Sequence, residues 1–423
     1  MKILIFSHGL EYGGTPVNAI DLAAALRDRH GHSVVLFATP GPLSQLAEEL
    51  GVRVIPAPDA RFHPSPSRMR ALREAVRREQ PDVVHAWDWW QCLEAYYAVH
   101  LPWNVPLVVT DMTMNLTRIL PKQIPITYGT PELVAAARAA GWQRVELLLP
   151  PVDVAHNAMG AMGAMGAMGA VDVQALRAHC AIGAGDITLV TVSRLADCMK
   201  AESLLRSIDV VRTLGRDLRL RFVIVGDGKA RFKLQAMAAQ TNAWLGREAV
   251  VLTGALVDPR PAYAMADIVI GMGGSVLRGM AFGKPAVVVG EQGFAATFNA
   301  QSADGFLHRG LYGLGDGSQR NEHFVDAIRR LATQPEQWSA LGAYSRDFVV
   351  RYFAVEAVSA SLNQIFIGAQ ANPASRSSAL ADSLRTSAVY LRERRFLTPS
   401  RDAAAHGVGV GVGGTTMQSA RHV

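Results

Sequence analysis

Three features of the sequence predict two doubly wound α/β domains in tandem. Short aliphatic and β-branched runs alternate with stretches whose apolar residues have helical spacing. The alternation breaks once, at Pro150-Pro151, and then restarts. Glycine-rich or cationic turns follow several of the predicted strands, where open α/β sheets place their ligands.

In the first series the expected strands are Ile3–Phe6, Val34–Ala38, Val52–Pro56, Val83–His85, Leu107–Thr110 and Val145–Leu149. Helices are expected at Pro16–Arg29, Ser67–Glu79 and Pro131–Ala140, which makes βαβ units and a parallel sheet covered by helices. The second series has strands Ile187–Ser193, Arg219–Val225, Ala249–Thr253, Asp267–Met272 and Pro285–Gly290. Its helices are Lys200–Leu214, Lys229–Trp244, Pro259–Ala266 and Val276–Phe282, followed by Asn321–Ala332, Glu336–Tyr352 and Ala354–Ile367. Between the two series stand four Ala-Met-Gly triplets, Ala158 to Gly169. Collagen would need proline and many more triplets, and glycine interrupts any helical face. The expected division is therefore a first domain at 1–150, a flexible linker at 151–172, a second domain at 173–368 and a basic, partly disordered tail at 369–423. A short helix, Ala379–Arg395, is expected inside that tail.

With 423 residues, 49% of them apolar, the chain can bury two sizeable cores. Its net charge is +6, but residues 371–423 hold seven arginines against three acids, so +4 of it sits on the tail. The rest is close to neutral, which excludes a nucleic-acid protein organised around one basic face. The tail instead fits a solvated extension or a weak membrane-surface contact. Cys92, Cys180 and Cys198 are odd in number and have no C-x-x-C spacing, which excludes a disulfide framework or a cysteine zinc site and fits a reducing cytoplasm. The opening Met1–Phe6 is too short for the apolar region of a signal peptide. Ala158–Val171 is shorter than the ~20 residues of a membrane span.

Four segments can carry chemistry. Gly13-Gly14 lies after the first strand and before a helix, where bare backbone N–H groups and the helix N-terminus favour a phosphate. Arg194 ends the first strand of the second series and Lys200 follows, a fork and a point charge able to hold a diphosphate. Gly226-Asp227-Gly228 is a strand-end turn that a nucleotide could approach, and Gly274-Ser275 opens a helix that could face a phosphate. A plain tight turn or two surface cations would show the same residues. The first loop is not G-x-G-x-x-G, so a nicotinamide cofactor gains little support.

Taken together, the segments resemble the nucleotide-sugar glycosyltransferases of the GT-B fold, glycosyltransferase family 4, over residues 1–368. The matching pieces are Gly13-Gly14 with Leu22–Leu26 and Gly31–Val34, Pro81–His85, Pro151-Val152-Asp153, Ser193-Arg194-Leu195 with Lys200, Val225–Gly228, Tyr263–Asp267 and Gly279–Pro285. The resemblance implies two Rossmann-like domains facing across a cleft, with the donor held mainly by the second and a last helix crossing back to the first. It gives Arg194 and Lys200 the leaving diphosphate to neutralise, in place of a metal, and the chain has no Asp-x-Asp motif. No cofactor is implied; the nucleoside-diphosphate sugar is a co-substrate. Retention of anomeric configuration is likewise implied, as is a hydroxyl acceptor that is a small molecule or belongs to the cell envelope. The place is the cytoplasm or the inner membrane face.

Acceptor-side candidates are His8, Glu11, His85, Trp87 and Asp88, all on or beside first-domain strand ends. Aromatic faces stack on sugars and the polar groups can orient a hydroxyl, although clustered tryptophans also serve as core. The chain departs from the family at three points. The glutamate expected to hold the ribose falls on Arg278, and its partner seven residues earlier has no counterpart. A histidine expected after Leu107–Thr110 falls on Met112, beside Asp111. Lys200 lies one residue further from Arg194 than usual. A guanidinium only donates hydrogen bonds, so Arg278 cannot accept from ribose hydroxyls. A non-catalytic nucleotide-sugar-binding protein or a sugar-nucleotide epimerase of the same fold are the alternatives, the latter disfavoured by sparse carboxylates.

Overall fold

Continuous apolar runs suit strands buried on both faces, and both sheets are built from them. The computed structural model describes residues 1–159, 167–317, 321–373 and 375–397. They divide into two units, Met1–Leu149 with Ser359 onward, and Pro150–Val358.

The first unit holds a seven-stranded sheet in the order β3-β2-β1-β4-β5-β6-β7, parallel throughout. The strands are β1 (Lys2–Phe6), β2 (Ser33–Ala38), β3 (Arg53–Pro56), β4 (Val83–Trp87), β5 (Leu107–Asp111), β6 (Ile126–Tyr128) and β7 (Val145–Leu147). Strand order reverses at β1, so right-handed crossovers put the connecting helices on both faces. The helix Gly14–His30 stops at Gly31, whose left-handed φ of 65° lets its own N–H bond back to the Arg27 oxygen and the His32 N–H to the Leu26 oxygen. Pro66–Glu79 and Pro131–Ala139 start as capping chemistry prescribes: proline opens each, and the Ser65 and Thr130 hydroxyls accept from the Arg68 and Leu133 N–H groups.

The second unit has strands β8 (Ile187–Val192), β9 (Leu220–Val225), β10 (Val250–Gly254), β11 (Ile268–Gly271), β12 (Ala286–Val289) and β13 (Ala295–Thr297). Their order is β10-β9-β8-β11-β12-β13, and only β13 runs antiparallel. Leu189, Phe222, Ile224, Ile268 and Val287 form its core with the helix residues Leu204, Ile208 and Leu234. The sequence reading did not include β6 and β13, each three residues long.

The structure corrects three expectations. The helix Ala167–His179 begins inside the last Ala-Met-Gly triplet, where a flexible linker to 172 was expected. Alanine and methionine are good helix formers, and one internal glycine costs only about 1 kcal/mol once the helix continues. Residues 160–166 of the repeat lie outside the described residues. The boundary expected at 368 falls at Val358. From Ser359 the helix Val355–Ala371 packs on the first unit, with Asn363 2.7 Å from the His32 Nε2 and Phe366 beside His85. Finally, the short helix expected at Ala379–Arg395 is present but longer, 22 residues from Arg376 to Leu397, and side-chain hydrogen bonds tie it to the first unit. Residues 398–423 lie outside the described residues.

Candidate active site

The second unit presents its site where β8 and β11 lie side by side and strand order reverses, the usual ligand position of an open α/β sheet. A small open pocket there is lined by Ser193 and Lys200 after β8, by Gly271 and Met272 after β11, and by Ser203, Ser207 and Ser275. Lys200 precedes the helix Ala201–Leu214. Burial and the nearby Arg194 push its ammonium down to about 8, while Glu291 acts in the opposite direction. Arg194 is exposed, and partial desolvation lowers its guanidinium without discharging it. Glu202, in the first turn of the same helix, accepts the N–H groups of Gln292 at 3.0 Å and Gly293 at 2.8 Å. Those bonds hold the loop that carries Glu291, whose carboxylate accepts from the Tyr312 hydroxyl.

Gly226 and Gly228 explain how Arg194 is placed. Their φ values are 145° and 150°, and an added Cβ would come within 1.8 Å of the Ser193 oxygen or 2.5 Å of the Leu195 oxygen. Without side chains there, the Arg194 turn lies flush on the β9 exit, with Leu195 N–H bonded to the Asp227 oxygen at 2.9 Å. Asp227 pairs with Arg231 at 2.8 Å. The nucleotide role expected of Gly226-Asp227-Gly228 is therefore not needed to explain these residues, since packing already requires them. Gly273 (φ 57°) opens the helix Gly274–Ala281, and Arg278 folds back along it to donate to the Gly274 oxygen at 3.3 Å. Its guanidinium thus adds a cation beside the first turn, next to Ser275.

In the first unit the matching reversal lies between β1 and β4. His8 follows β1, Asp88 follows β4, and the two meet at 2.5 Å with side chains only 9% exposed. Asp88 holds a left-handed φ of 60°, a strained setting for a residue with a side chain and one typical of functional turns. Its second oxygen accepts the Met112 N–H at 3.1 Å, which ties the pair to the end of β5. Asp111, the last residue of β5, is wholly buried; burial and then the Asp88 charge raise its carboxyl to about 7. The Trp90 ring packs edge-on to His8 at 5.3 Å, with His63 and the Arg68 guanidinium against it.

Two acceptor-side expectations fail here. His85 and Trp87 have no exposed surface, because they lie inside β4 and not on the loop beyond it. His85 bonds Thr110 at 2.7 Å, and desolvation drops its imidazole to about 3, so it stays neutral and structural. Glu11 remains exposed on the first loop. Gly13 is extended (φ 177°), and an added Cβ at Gly14 meets nothing within 4 Å. Neither conformation nor packing in the chain itself calls for glycine at these two positions. Their bare N–H groups at the start of a 17-residue helix leave room for an approaching anion.

A family model described as "Glycosyltransferase Family 4" matches residues 12–145, and one described as "Glycosyl transferases group 1" matches 186–334. This chain is a glycosyltransferase of the GT-B fold, resembling family 4. No curated protein sequence matches it. The glycosyltransferase resembles solved structures at low identity. A glycosyltransferase from Rickettsia africae ESF-5 has 14% identity and a TM-score of 0.67, covering 88% of this chain and 99% of that one. Anabaena HepE, solved with UDP-glucose, has 16% identity and a TM-score of 0.65, covering 87% and 100%. WaaG, a glycosyltransferase involved in lipopolysaccharide biosynthesis, has 15% identity and a TM-score of 0.59 over 87% and 100%.

Sequence reasoning missed Asp111, Glu291 and the Ser203 and Ser207 wall. An acid directly after a β-branched run, as in Thr110-Asp111, was a usable signal for the first. The serines carried none, since they sit inside an ordinary amphipathic helix. Lys200 sets a pH dependence for this glycosyltransferase. A diphosphate held there would favour the ammonium, so its affinity, read with UDP as probe, should be flat just below pH 8 and fall up to tenfold per pH unit above it. Calorimetric titration between pH 6.5 and 9.5 checks this, and Lys200→Arg should flatten the profile.

Proposed function

We propose that this enzyme transfers a glycosyl group from a nucleoside-diphosphate sugar to a hydroxyl of a small-molecule or cell-envelope acceptor. We take the transfer to be metal-independent and to retain the anomeric configuration. The observation that carries this reading is the convergence of Arg194, Lys200 and the first turn of Gly274–Ala281 on one strand-order reversal. When the anomeric C–O bond breaks, its electron pair goes to the departing diphosphate, and these groups offset the charge without a bound cation. The acceptor oxygen bonds the anomeric carbon, and its proton passes to the freed phosphate oxygen. Among the described residues no group of three His, Cys, Asp or Glu side chains is set to hold a metal ion. Within the first unit, Gly13 and Gly14 are assigned to an anion, and His8 with Asp88 to orienting the acceptor hydroxyl. The unpaired cysteines fit a reducing cytoplasm, and no described helix is long and apolar enough to cross a membrane.

The test is release of nucleoside diphosphate from a panel of nucleotide sugars, with and without EDTA. Equal rates in both, with product of the donor's anomeric configuration by NMR, are expected; a rate abolished by EDTA would refute metal independence. Arg278 takes the part of a third phosphate-side cation in place of the ribose carboxylate. Arg278→Glu should therefore weaken UDP binding by about tenfold or more, the scale of one lost charge-assisted contact, ~1.4 kcal/mol. Tighter binding in the same titration would return the position to the ribose.

A further inference from the structure

The helix Arg376–Leu397 packs on the first unit through a mixed face. Ala379, Asp382, Ser383 and Thr386 are buried, and Val389 and Tyr390 pack against the core. Hydrogen bonds hold it down. Tyr96 donates to the Ala379 oxygen at 2.7 Å and Tyr97 to the Ser383 oxygen at 3.0 Å, while the Gln123 N–H donates to Asp382 at 3.1 Å. Its leucines point outward instead: Leu380, Leu384 and Leu391 are 61%, 70% and 62% exposed. At ~100° per residue these three fall within about 40° of one another, a single narrow stripe. Three leucines exposed in line on a soluble helix mark a surface that meets something.

Charge identifies what it meets. Both acids of the helix are engaged, Asp382 buried and bonded to Arg385, Glu393 half-buried and paired with Arg392. Among the described residues exposed Arg376 stands free at one end of the stripe, Arg392 is paired with Glu393, and by sequence Arg394, Arg395 and Arg401 follow, so residues 371–423 keep a net +4. An apolar stripe edged by arginines is the pattern of a helix lying in the headgroup layer of an anionic bilayer. The surface also extends toward the candidate acceptor side. Tyr390 donates to the His63 oxygen at 2.7 Å, the neighbouring Phe62 is 75% exposed, and the His63 ring lies tilted against the Trp90 that packs against His8.

We propose that the outward face of Arg376–Leu397 docks this enzyme on an anionic lipid surface. Docking by this helix goes beyond the transfer chemistry, and its test needs no turnover. The full-length protein is mixed with vesicles of phosphatidylglycerol and phosphatidylethanolamine, or of phosphatidylcholine alone, and floated on a density gradient. At least tenfold stronger partition to the anionic vesicles is expected, weakening with salt. Leu384→Asp with Leu391→Asp should reduce it at least tenfold, and Arg376→Glu with Arg392→Glu should remove the preference for anionic lipid. Calorimetry with UDP should give unchanged affinity in all variants, which shows that they fold. Unaltered partition in the leucine variants, or absence of vesicle binding by the parent, overturns the proposal. So does self-association that the leucine substitutions abolish without any vesicle binding, because the occupant is then a second copy of this chain.

Discussion

Arg194→Ala is expected to lower kcat by 10²–10³-fold, about 3–4 kcal/mol, with a much smaller change in the donor KM. The split follows from when the charge appears. In the proposed mechanism the diphosphate of the bound donor is already an ester, held jointly by Lys200 and the helix start. As the anomeric bond breaks, one more negative charge develops on the phosphate oxygen, and only a fixed cation beside it gains from that change. Arg194 makes no salt bridge within the described chain, so its removal leaves no buried partner and the melting temperature should hold. Arg194→Lys should recover part of the rate, since an ammonium supplies the charge but not the two-pronged geometry. Steady-state kinetics on the purified variants check this; an unchanged kcat removes Arg194 from the mechanism.

The second large effect is expected at Asp88. Asp88→Ala takes away the partner of a buried histidine and the acceptor for the Met112 N–H, and it puts alanine at a φ of 60°. Loss of a buried pair costs ~3–5 kcal/mol and the left-handed backbone adds ~1 kcal/mol, so this variant should unfold early in denaturant. Asp88→Asn separates the charge from the scaffold. Asparagine tolerates the left-handed turn and its carbonyl can still accept from Met112, so most of the stability should return. What it removes is the negative charge facing His8 and Asp111. The Asp111 carboxyl, held near 7 by burial and by Asp88, should then titrate at lower pH, with burial alone still raising it above the usual carboxylate range. Carboxyl carbon NMR reads that shift. If it does not move, the two acids do not communicate. Acceptor-dependent turnover should fall more than donor hydrolysis, because the pair is assigned to the acceptor.

The two candidate sites were legible to different degrees. Arg194, Lys200 and Gly13-Gly14 could be read because short motifs at strand ends have few structural alternatives in this order. His8 and Asp88 could be named but not paired, since 80 residues separate them and only the parallel register of β1 with β4 brings their ends together. His85 and Trp87 were misplaced by the length of one strand. β4 runs to Trp87, two residues beyond the expected end at His85, so the loop starts later and both side chains are core.

Sequence alone determined the two sheets, the break between them and the strand ends that carry chemistry, because apolar periodicity and turn residues are local and survive without knowledge of neighbours. Tertiary structure alone decided which glycines are required by packing, that Arg278 turns back toward the start of its helix, and that the last helix faces outward with its leucines. Those outcomes depend on contacts between segments far apart in the chain, and no window of sequence contains both partners.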